Sequence, residues 1–309
     1  MDEPQAYLNG RFISASSAAL SITDAGFILG AAVAEQLRTF AGKLFRLDDH
    51  LERLEQSLRI IGVDPGIGRD QMADVARELV EHNHRLLSPG DDLGLSVFVT
   101  PGPYPAYSAP GSSEPTVCLH SYRLPFRLWA DKYQSGQALV ISSVRQVPAK
   151  AWPPGLKCRS RMHYYLADRE AALADPGARA LLLDCQGRVT EASTANVLVF
   201  TAGEELLSPP HAKVLPGISL ATANRLAVDL RIRTAQRELG PDDLASAREV
   251  LLTSTPFCLL PVTRLDGRPI AGGRAGEVFR RLLAAWSELV GIDVADQARR
   301  FANSTSGRI

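Results

Sequence analysis

Five places oblige this chain to reverse direction. Asn9-Gly10 lies between apolar flanks in "YLNGRFI", and Ala41-Gly42, Gln186-Gly187, Ala202-Gly203 and Asp266-Gly267 sit between strand-like runs in the same way. Asn-Gly and Asp-Gly favour two-residue turns whose twist matches antiparallel strands. Turns of this kind near both ends demand antiparallel pairs in both halves. The runs "LGLSVFVT", "PTVCLHSY", "ALVISSVRQ" and "REVLLTS" supply further strands. Between them the period changes to that of a helix. Leu47, Leu51, Leu54, Leu58 and Ile61 recur at helical spacing, with Asp48 or Asp49 to cap the start. A second helix runs around Met72, Val75, Ala76, Leu79 and Val80, and a third from Ile218 to Leu230. A last one carries Val278, Phe279, Leu282, Leu283, Trp286 and Leu289 on one side. An amphipathic segment starts near Arg161 and runs through Tyr165, Leu166 and Arg169.

This mixture is an α/β chain of the α+β kind, and 309 residues suggest two domains. The expected division is an N-terminal α+β domain over 1–120, a link over 121–137 ("SYRLPFRLWADKYQSGQ"), a C-terminal domain over 138–293 and a polar, fraying tail over 294–309. The Pro/Gly/Ser stretch "PGPYPAYSAPGSSEP" is long enough to be a functional loop.

Charge narrows the partners. Lysine plus arginine equals aspartate plus glutamate at 34 each, so no long-range field draws in nucleic acid or a membrane surface. The expected partner is a small molecule or another protein. The start "MDEPQAYLNG" is unlike a signal peptide, and no apolar run approaches a membrane span. The four cysteines (Cys118, Cys158, Cys185, Cys258) form no C-x-x-C pair, which fits a reduced, cytoplasmic protein. No metal motif, P-loop or G-x-G-x-x-G is present, and His82 and His84, two apart on a helix, face different ways. No metal is expected.

Five features could carry chemistry. Lys157, in "GLKCRSRMHYYLADREAAL", stands where a strand-like run turns into a helix. It is either a solvated surface charge or a Schiff-base lysine, an amine of ordinary pKa about 10.4 made nucleophilic by burial or by cations such as Arg159 and Arg161. Glu191, where a strand breaks into small polar residues, is either a wet turn carboxylate or a buried one needing a cationic partner. "VLPGISLATANRL" puts Pro216-Gly217 before a helix whose first turn holds Ser219, which is a plain helix start or an anion site. Thr253, Ser254 and Thr255 end an apolar strand, as an ordinary turn or as phosphate donors. Arg53, beside the Leu51/Leu54 stripe and near His50 and Ser57, is either solvated or turned inward to grip a phosphate.

Taken in order, "LNGRFI", "DAGFILG", "HLERLEQSL", the Lys157 segment, "VTEASTANVLVF", "LPGIS", "TSTPFCLLPV" and "LDGRPI" resemble the class IV aminotransferases over roughly residues 6–290. That family includes branched-chain and D-amino acid aminotransferases and 4-amino-4-deoxychorismate lyases. The resemblance implies the two-domain fold of type IV pyridoxal phosphate enzymes, a homodimer, and a cofactor at the domain interface. It implies that Lys157 forms the Schiff base with the cofactor and moves the proton, and that Glu191 pairs with the pyridine nitrogen. Arg53, Ile218, Ser219, Ser254 and Thr255 would hold the phosphate. The implied reaction moves an amino group between an amino acid or amine and a keto acid. The alternatives are a lyase that releases pyruvate and a catalytically altered paralogue that only binds the cofactor.

The chain departs from the family pattern at several points. Gly30-Ala31-Ala32-Val33-Ala34-Glu35 stands where members read Gly-Asp-Gly-Val-aromatic-Glu, so Ala34 implies a wider pocket. Ala25 replaces an arginine, and Arg161 or Met162 stands at a tyrosine that bonds the cofactor's phenolic oxygen. The strand that often ends in Arg-Gly ends in Pro101-Gly102, with no arginine in the loop after it, which weakens a D-amino acid reading. Arg38, Arg159 and Arg161 become the candidates for a substrate carboxylate, and Arg161 is alternatively a donor to the cofactor's phenolate.

Overall fold

The turns fix the strand registers. In a computed structural model that describes residues 3–108 and 114–303, three of the five turns have left-handed backbone at both central positions. The φ values are 46° and 87° at Asn9-Gly10, 49° and 75° at Ala41-Gly42, and 47° and 75° at Asp266-Gly267. Each closes a two-residue hairpin, with Leu8 opposite Arg11, Phe40 opposite Lys43 and Leu265 opposite Arg268. Residues 109–113 of the Pro/Gly/Ser loop, and residues 304–309 of the tail, lie outside the described residues.

The chain forms two units. The first holds the chain up to Leu124 together with Gly155–Ser160. Its elements are β1 (Gln5–Leu8), β2 (Arg11–Ser14), α1 (Ala25–Ile28), β3 (Val33–Phe40), β4 (Lys43–Leu44), α2 (Leu47–Ile61), α3 (Arg69–His84), β5 (Leu93–Thr100) and β6 (Thr116–Arg123). The six strands make an antiparallel sheet in the order β2-β1-β6-β5-β3-β4. α2 and α3 cover one face. Leu51, Leu54 and Leu58 from α2 and Met72, Ala76 and Leu79 from α3 form one core with Val33 and Leu37 of β3 and Leu95, Val97 and Val99 of β5. The period of two in β3 therefore aims residues 33, 35 and 37 at the helices and 34, 36 and 38 at the opposite face.

The second unit holds Pro125–Pro154 and the chain from Arg161 on. Its elements are α4 (Lys132–Ser135), β7 (Gln137–Arg145), α5 (Met162–Ala174), β8 (Arg179–Leu183), β9 (Val189–Ala192), β10 (Ala195–Phe200), β11 (Glu205–Ser208), α6 (Ile218–Asp229), β12 (Arg233–Gln236), α7 (Pro241–Ala245), β13 (Glu249–Ser254), β14 (Cys258–Leu265), β15 (Arg268–Pro269), α8 (Glu277–Val290) and α9 (Val294–Phe301). The sheet runs β12-β11-β10-β13-β14-β7-β8-β9, and β9 also pairs with β10. That extra pairing closes six strands into a ring and removes the β9 edge, while β12 remains an edge. Parallel pairs β7–β8 and β11–β12 are reached across α5 and α6, so this unit is mixed and not a simple meander.

Four sequence expectations need correction. Residues 294–301 do not fray: Asp293 caps α9 by accepting from the Asp296 N–H, and Val294 and Ala298 are buried. The apolar face of α5 is not Tyr165 and Leu166, which are exposed; its buried positions are Ala167 and Ala171, packed on Val140, Ala180 and Leu182. Small residues let the helix lie close to the sheet, a signal that a hydrophobic stripe of large residues does not carry. Residues 155–160 belong with the first unit, because they pair with β3. Residues 121–137, expected as a link, hold the end of β6, all of α4 and the first residue of β7.

Leu54, 2% exposed in the first unit's core, gives a test of that packing. Leu54→Ala should cost about 2–5 kcal/mol, read as a fall in the urea midpoint of the first unit's transition.

Candidate functional site

The apolar face of α2 carries a buried polar stripe. His50, Arg53 and Ser57 lie at helical spacing among the leucines and are 1%, 6% and 1% exposed. A stripe of this kind is costly unless every group finds a partner. The partner is Glu35, fully buried on β3 between Val33 and Leu37. Arg53 donates side-on, Nε to Oε1 and Nη2 to Oε2, each at 2.7 Å, and His50 Nδ1 donates to Oε2 at 2.7 Å. Burial opposes the Glu35 charge, but Arg53 and then His50 more than offset it and hold the carboxyl well below its usual range. Burial also pushes the His50 imidazole down, so Nδ1 carries the hydrogen and Nε2 is bare. His50 Nε2 is buried with no hydrogen-bond partner among the described residues.

Lys157 is held beside this cluster by its backbone. Cys158 bridges to Val33, flanked by Ala34 N–H donating to the Lys157 carbonyl at 2.9 Å and Arg159 N–H donating to the Ala32 carbonyl at 2.7 Å. The Lys157 N–H donates to Ser57 Oγ at 3.2 Å, and Leu156 packs against the core. The lysine is half-buried, and its charge is one of those that depress His50. A lysine bonded through both its N–H and its carbonyl next to a buried ion cluster is not an ordinary surface residue.

The opposite face of the sheet is polar. Gln36 Nε2 donates to Ser96 Oγ at 2.9 Å, Tyr122 Oη donates to Gln36 Oε1 at 2.8 Å, and Arg159 Nη2 donates to Ser96 Oγ at 2.6 Å. The Arg159 guanidinium lies 6.0 Å from the Phe98 ring centroid, and His120 feels its charge. Ala34 is buried opposite Phe98. Arg38 lies four residues further along β3, about 13 Å by strand rise. It stacks 4.0 Å over the Phe40 ring and donates from Nε to the Thr39 carbonyl. Of the three arginines expected at a substrate carboxylate, Arg159 is beside Lys157 on this face, Arg38 is at the far end of the strand, and Arg161 is the N-cap of α5 in the second unit.

In the second unit Glu191 sits on β9, 6% exposed and opposite Asn196 of β10 at the seam that closes the ring. Gln146 Nε2 and Tyr164 Oη donate to its Oε1 at 2.6 and 2.7 Å. Leu215 N–H and Asn196 Nδ2 reach Oε2 at 3.4 and 3.5 Å. Burial first, and the carboxylate second, push the Tyr164 phenol well above its usual range, so it stays a donor. Asn196 also donates to the Leu215 carbonyl at 2.9 Å, which draws the segment before α6 onto the seam. A Cβ at Gly217 would come within 1.9 Å of Asn196 Oδ1, so only glycine fits there. α6 then starts at Ile218 without a side-chain cap, so no side chain at the N-cap accepts from the N–H groups of its first turn, around the buried Ser219. Ser254 Oγ donates to the Thr194 carbonyl at 2.9 Å, and Thr255 is half-buried in the turn after β13.

The first unit thus sets the Lys157 backbone beside the Arg53 cluster, with Arg159 on the opposite face of the sheet, and the second brings together Glu191 and the segment that leads into Ile218 and Ser219. Three residues escaped the sequence reading as functional. Glu35 was visible as a charge inside an apolar strand run, and His50 as a neighbour of Arg53. Tyr164 lies seven positions after Lys157 on a helix whose buried positions are alanines, and little marked it. Among the described residues no group of three or more His, Cys, Asp or Glu could hold a metal ion, and no helix is long and apolar enough to cross a membrane.

A model of the amino-transferase class IV family matches residues 32–265. The chain belongs to that family. A Methanocaldococcus jannaschii protein provisionally named a branched-chain-amino-acid aminotransferase is 28% identical over 94% of this chain and 99% of its own. The D-alanine aminotransferase of Bacillus licheniformis is 28% identical over 90% and 94%. Among solved structures, the Escherichia coli branched-chain amino acid aminotransferase superposes with a TM-score of 0.86 at 22% identity, over 93% and 95% of the two chains. The T.th. branched-chain enzyme with pyridoxamine 5′-phosphate gives 0.83 at 24% identity, over 94% and 95%. This class IV chain is therefore an enzyme with the fold of the branched-chain aminotransferases, and its relatives support the aminotransferase reading over the lyase one.

The Glu35 cluster has a pH signature. Its depressed carboxyl contributes stability in full above the ordinary value of 4.5, and that contribution is lost as pH falls through the folded-state value. The depressed His50 acts in the same direction from 6.5 downward. Glu35→Gln should cost about 3–5 kcal/mol at neutral pH and flatten the acid limb of a stability-against-pH curve measured by urea unfolding.

Proposed function

We propose that the chain is a pyridoxal 5′-phosphate enzyme that moves an amino group between an amino acid and a keto acid, with Lys157 as the reactive amine. The observation that carries this is the backbone clamp on Lys157 beside the buried Glu35–His50–Arg53 cluster. The donor set fits the cofactor's chemistry: an amine, a buried carboxylate, an uncapped helix start and a buried arginine. When bound, the cofactor supplies an electron sink for the carbanion at the substrate's α-carbon.

The chain's own residues do the rest. Lys157 Nζ would hold the cofactor and would move the proton to and from the substrate's α-carbon. Arg53, oriented by Glu35, would hold the phosphate. The Ile218 N–H and the Ser219 N–H and hydroxyl, with the turn at Ser254 and Thr255, would complete the phosphate donors. Glu191 would pair with the protonated pyridine nitrogen, with Tyr164 and Gln146 orienting the carboxylate. Arg159, on the polar sheet face, takes the substrate carboxylate. The amino donor is an amino acid of the sort that the branched-chain and D-alanine relatives use.

The protein acts as a homodimer in the cytoplasm. Leu20, Ile22, Phe27 and Leu29 are 50%, 79%, 76% and 59% exposed and close together in the chain, an apolar patch of the kind that marks an interface. The four cysteines are thiols and not disulfides, in keeping with a reducing compartment.

An amino acid added alone to the holoenzyme should convert its visible spectrum to that of the pyridoxamine form; no change with any D- or L-amino acid would refute the reading. Lys157→Ala should lower turnover by at least about 10²–10⁴-fold, the contribution of acid–base catalysis alone, with an unchanged circular dichroism spectrum. Phe27→Asp should convert the dimer to a monomer in light scattering after size exclusion.

A further inference from the structure

His50 is fully buried and tied by Nδ1 to Glu35, yet its other nitrogen has no partner among the described residues. A buried nitrogen left bare costs stability, so its persistence calls for a ligand. The ring and the Arg53 guanidinium share one acceptor, Glu35 Oε2, each at 2.7 Å. A ligand anion held on Arg53 would thereby share its surroundings with the imidazole. We propose that His50 is a second ligand of the cofactor phosphate, one that takes up a proton at Nε2 as the phosphate settles on Arg53 and donates it to a phosphate oxygen.

The charge balance around the ring drives this change. The groups that act on His50 are Glu35 from β3, Arg53 on its own helix and Lys157 from the 155–160 segment. Without the phosphate, burial keeps the imidazole neutral against the pull of Glu35; Arg53 and Lys157 add to that effect, and the three charges sum to one net positive. A phosphate dianion turns that sum to one net negative charge. The same ring is then surrounded by an excess of anion and takes a proton from solvent. Nε2 becomes a donor, and the unpartnered atom is satisfied. Glu35 has two tasks here: it orients Arg53, and it fixes the imidazole so that Nε2 and not Nδ1 receives the proton.

This inference rests on the reading that Arg53 holds the cofactor phosphate, and the test separates the two. The probe is pyridoxamine 5′-phosphate, which makes no covalent bond to Lys157, titrated into the full-length apoenzyme at pH 7.5. Its second phosphate ionisation lies near about 6, so the free ligand is already a dianion. Calorimetry in buffers of different ionisation heat counts the protons taken up. His50→Asn is the variant of choice, because its amide N–H replaces the Nδ1 donor to Glu35 and removes only Nε2. The wild type should bind as much as one proton more per site than His50→Asn. Its Kd should rise more steeply with pH between 7 and 8, by up to tenfold per unit relative to the variant. Equal proton counts and parallel pH profiles in the two proteins, both binding the probe, would overturn the role of His50 and leave the cofactor assignment standing. If the variant does not fold, His50→Gln, with an amide N–H near the Nε2 position, serves with the same expectation. Failure of the wild type to bind the probe at all would remove the cofactor assignment, and this inference with it.

Discussion

A carboxylate with no access to water sits at the centre of the first unit, and the local architecture follows from the need to satisfy it. Glu35 takes three short hydrogen bonds from Arg53 and His50. Breaking such a set leaves an uncompensated buried charge, which is far more costly than the set is worth as net stabilisation. The ion cluster therefore acts less as glue than as a constraint. It dictates how α2 lies on β3, it presents Arg53 in one orientation, and its neighbour Ser57 anchors the backbone of Lys157. The Lys157 backbone and the Arg53 guanidinium are in this way referred to the same buried cluster.

The second unit also buries a carboxylate. Glu191 lies on a ring of strands whose closing pair, β9 with β10, brings Asn196 opposite it. Neutral donors, the Tyr164 hydroxyl and the Gln146 amide, hold one of its oxygens. The two carboxylates, one per unit, are thus held in different ways: Arg53 and His50 hold Glu35, and Tyr164 and Gln146 hold one oxygen of Glu191.

Much of this was legible in the sequence. The turn dipeptides predicted the hairpins, and the spacing of Leu47, Leu51, Leu54 and Leu58 predicted α2, because both signals are local. Lys157, Arg53 and Glu191 stood out because charged residues at strand ends or beside apolar stripes are few. What the sequence hid was long-range. The parallel pairs and the ring closure depend on which distant strands meet. α5 was misjudged because its buried face is made of alanines. Glu35 looked like one charge among many until β3's alternation showed it facing the helices, and Tyr164 became visible only through the carboxylate it touches. The polar tail proved to be a helix because a capping aspartate and two small buried residues suffice for eight residues.

The pairing of residues 157–159 with β3 has one more implication. Along an extended segment neighbouring side chains point to opposite sides, so a shift of a single residue exchanges them. Here the neighbour of the amine is a thiol, Cys158. A deletion upstream that dragged the segment along by one position would offer sulfur in place of nitrogen at the same spot. The short ladder of bonds to Ala32, Ala34 and the Ser57 hydroxyl thereby chooses which element of the periodic table stands at that position.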